Sequence, residues 1–117
     1  MENMTETVQR YVNGWNEKTH EAVKAAFVQC CADGITYKDK NTPMLKGIDA
    51  LVTLVMQSHD IVPGRVFSVL TQPEFFDRSC YYTWGISIPG SGELSGRDYV
   101  EYNDENQITA IVGFLPA

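Results

Sequence analysis

Residues 94–114, LSGRDYVEYNDENQITAIVGF, carry the clearest structural pattern in the chain. From Leu94 to Tyr102 apolar and polar residues alternate, and the polar residues 103–106 separate this segment from a second apolar one that ends at Phe114. Alternation with a period of two is typical of a strand that buries one face, and a short polar segment between two such runs is typical of a turn. Residues 94–114 therefore predict the last two strands of an antiparallel sheet.

Two further strands are expected immediately before this stretch. Residues 79–88 alternate in the same way, whereas residues 65–72 are rich in Val, Phe and Leu and stop at Pro73. The tetrapeptide PGSG at 89–92 is a strong turn signal between neighbouring strands. The second half of the chain therefore predicts a meander of three or four strands.

A helical period replaces the alternation in the first half of the chain. The first predicted helix follows a candidate N-cap at Thr5, and the second follows Thr19. A third amphipathic helix covers residues 48–56 and ends near His59. The apolar residues of the first helix recur at the spacing i, i+3, i+4 and i+7: Val8, Tyr11, Val12 and Trp15.

One strand is predicted between the second and third helices. Residues 32–34 (ADG) are typical of a turn, and from Ile35 to Asp39 the period is two until Pro43 ends the segment. Helices that are segregated from an antiparallel sheet indicate the α+β class. At 117 residues the chain is expected to form a single domain over 1–117.

Composition excludes several classes of function. Nine basic against fifteen acidic residues give a net charge of −6 without a basic cluster, which argues against a nucleic-acid or anionic-membrane partner. The apolar stretches are too short to span a bilayer, and the acidic start resembles no signal peptide, so a cytoplasmic protein is expected.

Cysteine and histidine residues offer no pattern of a metal site. Cys30, Cys31 and Cys80 are an odd and sparse set, which is typical of reduced thiols. His20 and His59 lack metal-ligand spacing to each other or to a cysteine, so no metal is expected.

One acidic residue, Asp98, interrupts the apolar face of its predicted strand. It shares that face with Val100 and Tyr102, so its carboxyl group is expected to point into the core or into a pocket. Desolvation there raises the pKa of a carboxyl group and favours its protonated form, which can donate a hydrogen bond to a ligand oxygen. The alternative is a structural role, in which Asp98 pairs with Arg97, Arg78 or a buried hydroxyl group.

The expected strand pairing surrounds Asp98 with apolar neighbours. Matching the apolar faces across the preceding turn pairs Ile88 with Leu94, which places Asp98 opposite Trp84. The same reasoning across the following turn places Asp98 opposite Val112.

Two further polar residues are candidates to join Asp98 in a site. Asp39 ends its predicted strand on the same face as Tyr37, although residues 39–41 are also ordinary turn chemistry. Tyr11 lies in the apolar stripe of the first helix, where a tyrosine is usually a core aromatic whose hydroxyl group finds a partner.

Taken together, three segments resemble the nuclear transport factor 2-like (NTF2-like) superfamily, and within it the ketosteroid isomerase and SnoaL-like branch. They are RYVNGWNEK (10–18), ITYKDKNTPMLKGIDAL (35–51) and GRDYVEYNDENQITAIVGF (96–114). The resemblance implies a cone-shaped, cystatin-like fold in which three N-terminal helices pack on a curved antiparallel sheet. Because this fold hosts isomerases, dehydratases, cyclases and non-catalytic modules, the resemblance specifies the fold better than the reaction.

The resemblance to ketosteroid isomerases also implies roles for three residues. By position Asp39 matches the base that moves the proton, and Tyr11 and Asp98 match the Tyr and the protonated Asp of the oxyanion hole. The chain departs from that pattern by a longer segment between Tyr11 and Asp39 and by Lys40 in place of a proline after the base. The chemistry implied is proton transfer alpha to a carbonyl, with no cofactor.

Two classes of function therefore remain open at this point. One is an isomerase-like enzyme, with a SnoaL-like cyclase or dehydratase as a variant; the other is a non-catalytic ligand-binding or dimerisation module. An enzyme requires Asp39 and Asp98 to face one open cavity. The expected ligand is a small hydrophobic molecule, and the candidate ligand-binding residues are Trp15, Met56, Phe67, Trp84 and Phe114.

The face of the sheet away from the pocket predicts a protein partner. It carries more aromatic surface than a small monomer usually exposes, and aromatic residues are enriched in interfaces. We expect a homodimer through this outer face. The residues placed there are Tyr81, Thr83, Tyr99 and Ile111, with Phe67 or Val69 as additional members.

Overall fold

A computed structural model describes residues 3–116, which form three helices and seven strands. The helices are α1 (Met4–Gly14), α2 (His20–Cys30) and α3 (Ile48–Ile61). The strands are β1 (Cys31–Asp39), β2 (Thr42–Lys46), β3 (Val66–Val69), β4 (Glu74–Phe76), β5 (Ser79–Ile88), β6 (Gly92–Tyr102) and β7 (Ile108–Phe114). The α+β class is confirmed.

The strands form one curved sheet in the order β2-β1-β7-β6-β5-β3, and β4 also pairs with β5. Every pair is antiparallel except β1 and β7, which run parallel. The sheet is therefore mixed: it is antiparallel, as expected, except at this one pair. The parallel pair joins the first strand to the last, a long-range contact that local alternation does not reveal.

The helix starts follow the capping rules, with one correction. Thr19 caps α2 as expected, because its hydroxyl oxygen accepts a hydrogen bond from the Ala22 amide at 3.1 Å. The cap of α1 is Asn3 and not Thr5: the Asn3 side chain accepts from the Glu6 amide at 3.0 Å. The earlier start brings Met4 into the buried side of α1.

The turn expected at residues 32–34 is absent from the structure. Helix α2 ends at Cys30 and β1 begins at Cys31, so the two elements join without a loop. The segment is extended between two pairs with β7, Cys31 with Ile108 and Thr36 with Ala110, and the register is irregular between them. The strand expected at 65–72 is shorter, Val66–Val69, and neither β2 nor β4 was predicted.

The core lies between the helices and one face of the sheet. Each helix contributes an apolar stripe, represented by Val8, Phe27 and Leu51, all almost fully buried. The sheet contributes alternate residues such as Tyr82 and Val100. Within the described residues, none of the helices has the length and apolar character needed to cross a membrane.

The membership of the outer sheet face needs correction. Ile111 is almost fully buried opposite Val100, and Phe67 and Val69 pack against the core. These residues therefore belong to the inner face. Tyr81 is exposed and pairs with Tyr99 across β5 and β6, on the face away from the core.

Candidate active site

A cavity of about 500 Å³ opens between the helices and the inner face of the sheet. Its size falls in the range of small-molecule sites, roughly 300–1,000 Å³. Most of its wall is apolar, with Leu54, Ile86 and Leu115 among the lining residues. The polar exceptions include Tyr11, Asp39 and Asp98, so the structure brings the three predicted residues to one cavity.

Asp98 is buried in β6 and both of its carboxyl oxygens accept hydrogen bonds. The Tyr82 hydroxyl group donates to Oδ2 at 2.7 Å, and the Trp84 indole N–H donates to Oδ1 at 3.1 Å. Of the structural alternatives, the buried hydroxyl is present and the arginine pairs are not: Arg78 pairs with Asp104 instead. The hydroxyl group that donates to Asp98 is that of Tyr82 and not that of Tyr11.

Asp98 has different partners from those expected in both neighbouring strands, β5 and β7. Its partner in β5 is Tyr82 and not Trp84, because the hairpin turn is tight and Ile88 pairs with Gly92. A shift of two residues keeps the same face, so Asp98 still points inward.

On the other side of β6, the partner of Asp98 is Gly113 and not Val112. A register shift between Glu101 and Tyr102 displaces the pairing by one residue. This bulge places a glycine, which has no side chain, beside the carboxyl group.

Burial raises the pKa of Asp98 from 3.8 to about 6, and the negative charge of Asp39 acts in the same direction. The hydrogen bonds from Tyr82 and Trp84 oppose this rise, because donors stabilise the carboxylate. The predicted direction is therefore confirmed, but the group is not fully protonated at neutral pH. Near pH 6 it can serve as a proton donor or as a proton acceptor.

Asp39 lies at the end of β1, half-buried, and two donors hold its carboxylate. The Tyr37 hydroxyl group donates to Oδ2 at 2.7 Å, and the Asn41 amide donates to Oδ1 at 2.8 Å. The second contact is the turn chemistry expected from residues 39–41. Asp39 therefore both stabilises a turn and lines the cavity.

Tyr11 is buried in α1 and its ring stacks on Phe27 with centroids 5.6 Å apart. Burial raises the pKa of its hydroxyl group, the charge of Asp98 adds to this effect, and a hydrogen bond with the Trp15 side chain opposes it. The hydroxyl group therefore stays protonated and can donate.

Three residues that the sequence did not single out complete the polar site: Tyr37, Tyr82 and Gly113. A Cβ atom placed on Gly113 would lie 3.0 Å from the Tyr37 hydroxyl oxygen, 3.6 Å from Asp98 Oδ1 and 3.5 Å from Asp39 Cβ. The Tyr37 hydroxyl group and the side chains of Asp39 and Asp98 therefore all lie next to the space beside Gly113. The two-residue period places Tyr37 and Tyr82 on the inner faces of their strands. The sequence pattern of such a tyrosine is the same whether the residue belongs to the core or to a functional site.

The aromatic lining is partly as expected. Trp15, Phe67 and Trp84 line the cavity, and the Phe67 ring contacts the other two with centroids 5.4 and 5.5 Å apart. Met56 packs against the core without lining the cavity, and Phe114 is 46% exposed. Phe114 points away because strand alternation turns it opposite to the inward Gly113.

No protein-family model and no curated protein matches this chain. Among solved structures, a SnoaL-like family protein of Agrobacterium tumefaciens, for which an isomerase activity has been suggested, is 25% identical. The two chains superpose with a TM-score of 0.86, and 96% of each is covered. The chain is therefore similar to the SnoaL-like branch of the NTF2-like superfamily, as the sequence segments indicated.

Two more distant structures share the fold of this chain. A protein of Jannaschia, suggested to be a SnoaL-like polyketide cyclase, is 12% identical with a TM-score of 0.75, over 95% of this chain and 83% of that one. An NTF2-like protein of unknown function from Exiguobacterium is 18% identical with a TM-score of 0.72, over 95% of this chain and 98% of that one. The cone-shaped fold is thereby confirmed.

Proposed function

We propose that this SnoaL-like protein binds a small, mostly apolar carbonyl compound and catalyses proton transfer at the carbon next to the carbonyl group. The observation that supports this most directly is that Asp39 and Asp98, from two separate strands, line one apolar cavity. Paired carboxylates with different surroundings are suited to divide the roles of acid and base. Side chains supply both roles, so this chemistry requires no cofactor.

In this proposal Asp39 is the base. Its carboxylate takes the proton, the C–H bond breaks, and the electron pair moves to the carbonyl oxygen to give an enolate. In a substrate with a C=C bond next to that carbon the product is a dienolate, and the protonated Asp39 then returns the proton to its far carbon, which moves the double bond and completes an isomerisation. Two hydrogen bonds already hold the Asp39 carboxylate in place, which is the orientation that a positioned base requires.

Tyr11 and Asp98 are proposed to donate hydrogen bonds to the developing enolate oxygen. Such donors contribute on the order of 3 kcal/mol each in a water-poor site. Asp98 can donate only when it is protonated, and its pKa is raised to about 6. We therefore expect the rate to fall as the pH rises above about 6.

A non-catalytic ligand-binding module on the same fold is the second candidate. The observation that favours it is the internal hydrogen bonding: each oxygen of Asp39 and of Asp98 already accepts one bond from within the protein. Such bonding stabilises a carboxylate without any ligand. Ligand binding without proton exchange would support this candidate.

The test is exchange of the protons next to the carbonyl in a panel of cyclic ketones of increasing size. Proton NMR in deuterium oxide would follow the exchange near pH 6. We expect catalysed exchange by the natural protein and a loss of at least about a hundredfold in Asp39→Asn. The matched control is Asp33→Asn, which removes an exposed carboxylate from the same strand. Absence of exchange with every ketone, despite binding, would contradict the enzyme proposal.

A further inference from the structure

Tyr37 is the buried group that contacts the proposed base. It lies two residues before Asp39 on the inner face of β1, and its hydroxyl group donates to Asp39 Oδ2 at 2.7 Å. Asp39 itself is only half-buried at the end of a strand, where a carboxylate can rotate toward water. The Asn41 amide fixes Oδ1, so Tyr37 supplies the second restraint on the carboxylate plane.

The position of the Tyr37 hydroxyl group depends on Gly113 in the neighbouring strand β7. The space where a side chain would begin at Gly113 lies 3.0 Å from the Tyr37 hydroxyl oxygen. That distance is shorter than ordinary carbon–oxygen contact, so a methyl group there would push the hydroxyl group aside. Gly113 has ordinary strand backbone angles, so no unusual conformation requires a glycine here. Its role is to leave space for the Tyr37 hydroxyl group.

Gly113 also brings Tyr37 close to the second carboxylate. The same point lies 3.6 Å from Asp98 Oδ1. The Tyr37 hydroxyl group is protonated at all relevant pH values, because burial, its bond to Asp39 and the charges of Asp39 and Asp98 all raise its pKa. It therefore remains a donor while Asp39 is ionised.

We propose that Tyr37 is the positioning residue of the base Asp39, and that the missing side chain at Gly113 is what allows it to take this role. This inference rests on the proposed proton transfer. Tyr37 acts through Asp39: it holds the carboxylate toward the cavity before the proton is taken and keeps its donor bond while Asp39 is ionised.

Two variants change this contact by different means. Tyr37→Phe removes the hydroxyl group, whereas Gly113→Ala keeps it and displaces it. Both are expected to lower the rate of ketone proton exchange by about tenfold to a hundredfold, since a misoriented base loses most of its efficiency. The dissociation constant of the same ketone should change less than about threefold, because the apolar lining is untouched.

Matched controls separate positioning from stability. Tyr99→Phe also removes a tyrosine hydroxyl bonded to a carboxylate, Glu101 at 2.9 Å, but on the opposite sheet face. Gly34→Ala adds a methyl group to β1, where the nearest atom is 3.8 Å away. Both controls should retain the exchange rate of the natural protein.

Proton NMR of the free protein gives a readout that needs no substrate. The Tyr37 and Tyr82 hydroxyl protons, each bonded to an aspartate at 2.7 Å, should give two downfield signals. Tyr37→Phe and Gly113→Ala should lose or shift one signal and keep the other.

The outcomes separate this inference from the proposed function. No exchange by the natural protein would overturn the proposed function. Exchange that Tyr37→Phe and Gly113→Ala leave unchanged would overturn the positioning role alone. A fall in rate matched by an equal fall in ketone affinity would also overturn it, since that result indicates a disturbed cavity.

Discussion

At the scale of single residues, the free energy of the site is governed by one buried carboxyl group. Asp98 is 6% exposed and has no basic partner among residues 3–116; its partners are the neutral donors Tyr82 and Trp84. Neutral donors offset part of the free-energy cost of burying the charged carboxylate. The remaining cost raises the pKa of Asp98. The folded structure therefore favours the protonated, uncharged form of the Asp98 carboxyl group.

The first prediction is that folding stability decreases as pH rises from about 4 to about 6. The folded-state pKa of Asp98 is raised from 3.8 to about 6, so in this window the folded protein holds a proton that the unfolded chain has released. The stability is full below the unfolded pKa and lost as pH rises through the folded pKa, by about 3 kcal/mol in total. Urea midpoints across this range would measure it.

The control for this pH effect is Asp98→Asn. Other carboxylates titrate in the same window, so the quantity of interest is the difference between the natural protein and Asp98→Asn. Equal pH dependence in both would contradict the assignment to Asp98.

The second prediction compares two substitutions of Asp98 at neutral pH. An asparagine can still accept from Trp84 and can donate to the Tyr82 oxygen, so Asp98→Asn should fold with little loss. Leucine accepts no hydrogen bond and leaves both buried donors unpaired. Asp98→Leu should therefore be less stable than Asp98→Asn by about 2 kcal/mol or more. Equal denaturant midpoints would show that the two hydrogen bonds contribute nothing.

At the scale of elements, the hairpin of β5 and β6 positions Asp98 through a glycine. Trp84 pairs with Gly96, and a Cβ atom on Gly96 would lie 2.3 Å from the Trp84 ring. The indole therefore lies across Gly96 and reaches Asp98, two residues further along β6. A strand glycine that admits a close approach is thus part of the site.

The third prediction follows from this contact. Gly96→Ala places a methyl group against the Trp84 ring and against the Phe114 carbonyl oxygen, 2.5 Å away. Backbone cannot move aside as a flexible side chain can, so we expect a loss of about 2–4 kcal/mol and a weakened bond between Trp84 and Asp98. Thermal unfolding and tryptophan fluorescence would report both. Gly34→Ala, in an open strand position, is the control and should change stability by less than about 1 kcal/mol.

A second connection between elements fixes the helical wall of the cavity. Arg65 is buried, and its guanidinium group donates to the Trp15 carbonyl at 2.7 Å and to the Ser58 hydroxyl at 2.9 Å. Asn16 bonds both the amide and the carbonyl of Phe67, at 2.7 and 2.8 Å. Burial lowers the pKa of Arg65 to about 10, so it remains charged at neutral pH. These bonds hold Trp15 and Phe67, two lining residues, against each other.

At the scale of the whole molecule, the two faces of the sheet differ in composition. The inner face and the helices enclose the cavity, while the outer face presents Tyr81, Thr83 and Tyr99. Tyr81 is 39% exposed, and Phe76, whose partner Ser79 lies on the same face of the sheet as Tyr81, is 80% exposed. An exposed aromatic surface of this kind is typical of an interface.

The fourth prediction is a two-fold homodimer through this outer face. Light scattering at micromolar concentration should give twice the mass of the chain, and Tyr81→Glu should give a monomer, because a charge is costly in an apolar interface. Val28→Glu, on an exposed position of α2, is the control and should remain dimeric. A monomer mass for the natural protein would contradict the prediction.

The sequence by itself determined the local structure and the direction of the important side chains. Period-two alternation identified β5 and β6 and turned Asp98 inward, and capping chemistry placed the start of α2 at Thr19. These features are local, because side-chain direction in a strand and capping of a helix depend on a few adjacent residues. The resemblance to the superfamily then added the expectation that Tyr11, Asp39 and Asp98 share a pocket.

Only the tertiary structure decided which groups meet. The parallel pairing of β1 with β7 brings Tyr37 beside Gly113, and a bulge after Glu101 brings Gly113 beside Asp98. Both contacts depend on the register between strands that are distant in the sequence. Alternation determines which face of the sheet a side chain occupies, but it does not determine which residue lies opposite it. For the same reason the sequence did not show that Tyr82, and not Tyr11, bonds Asp98.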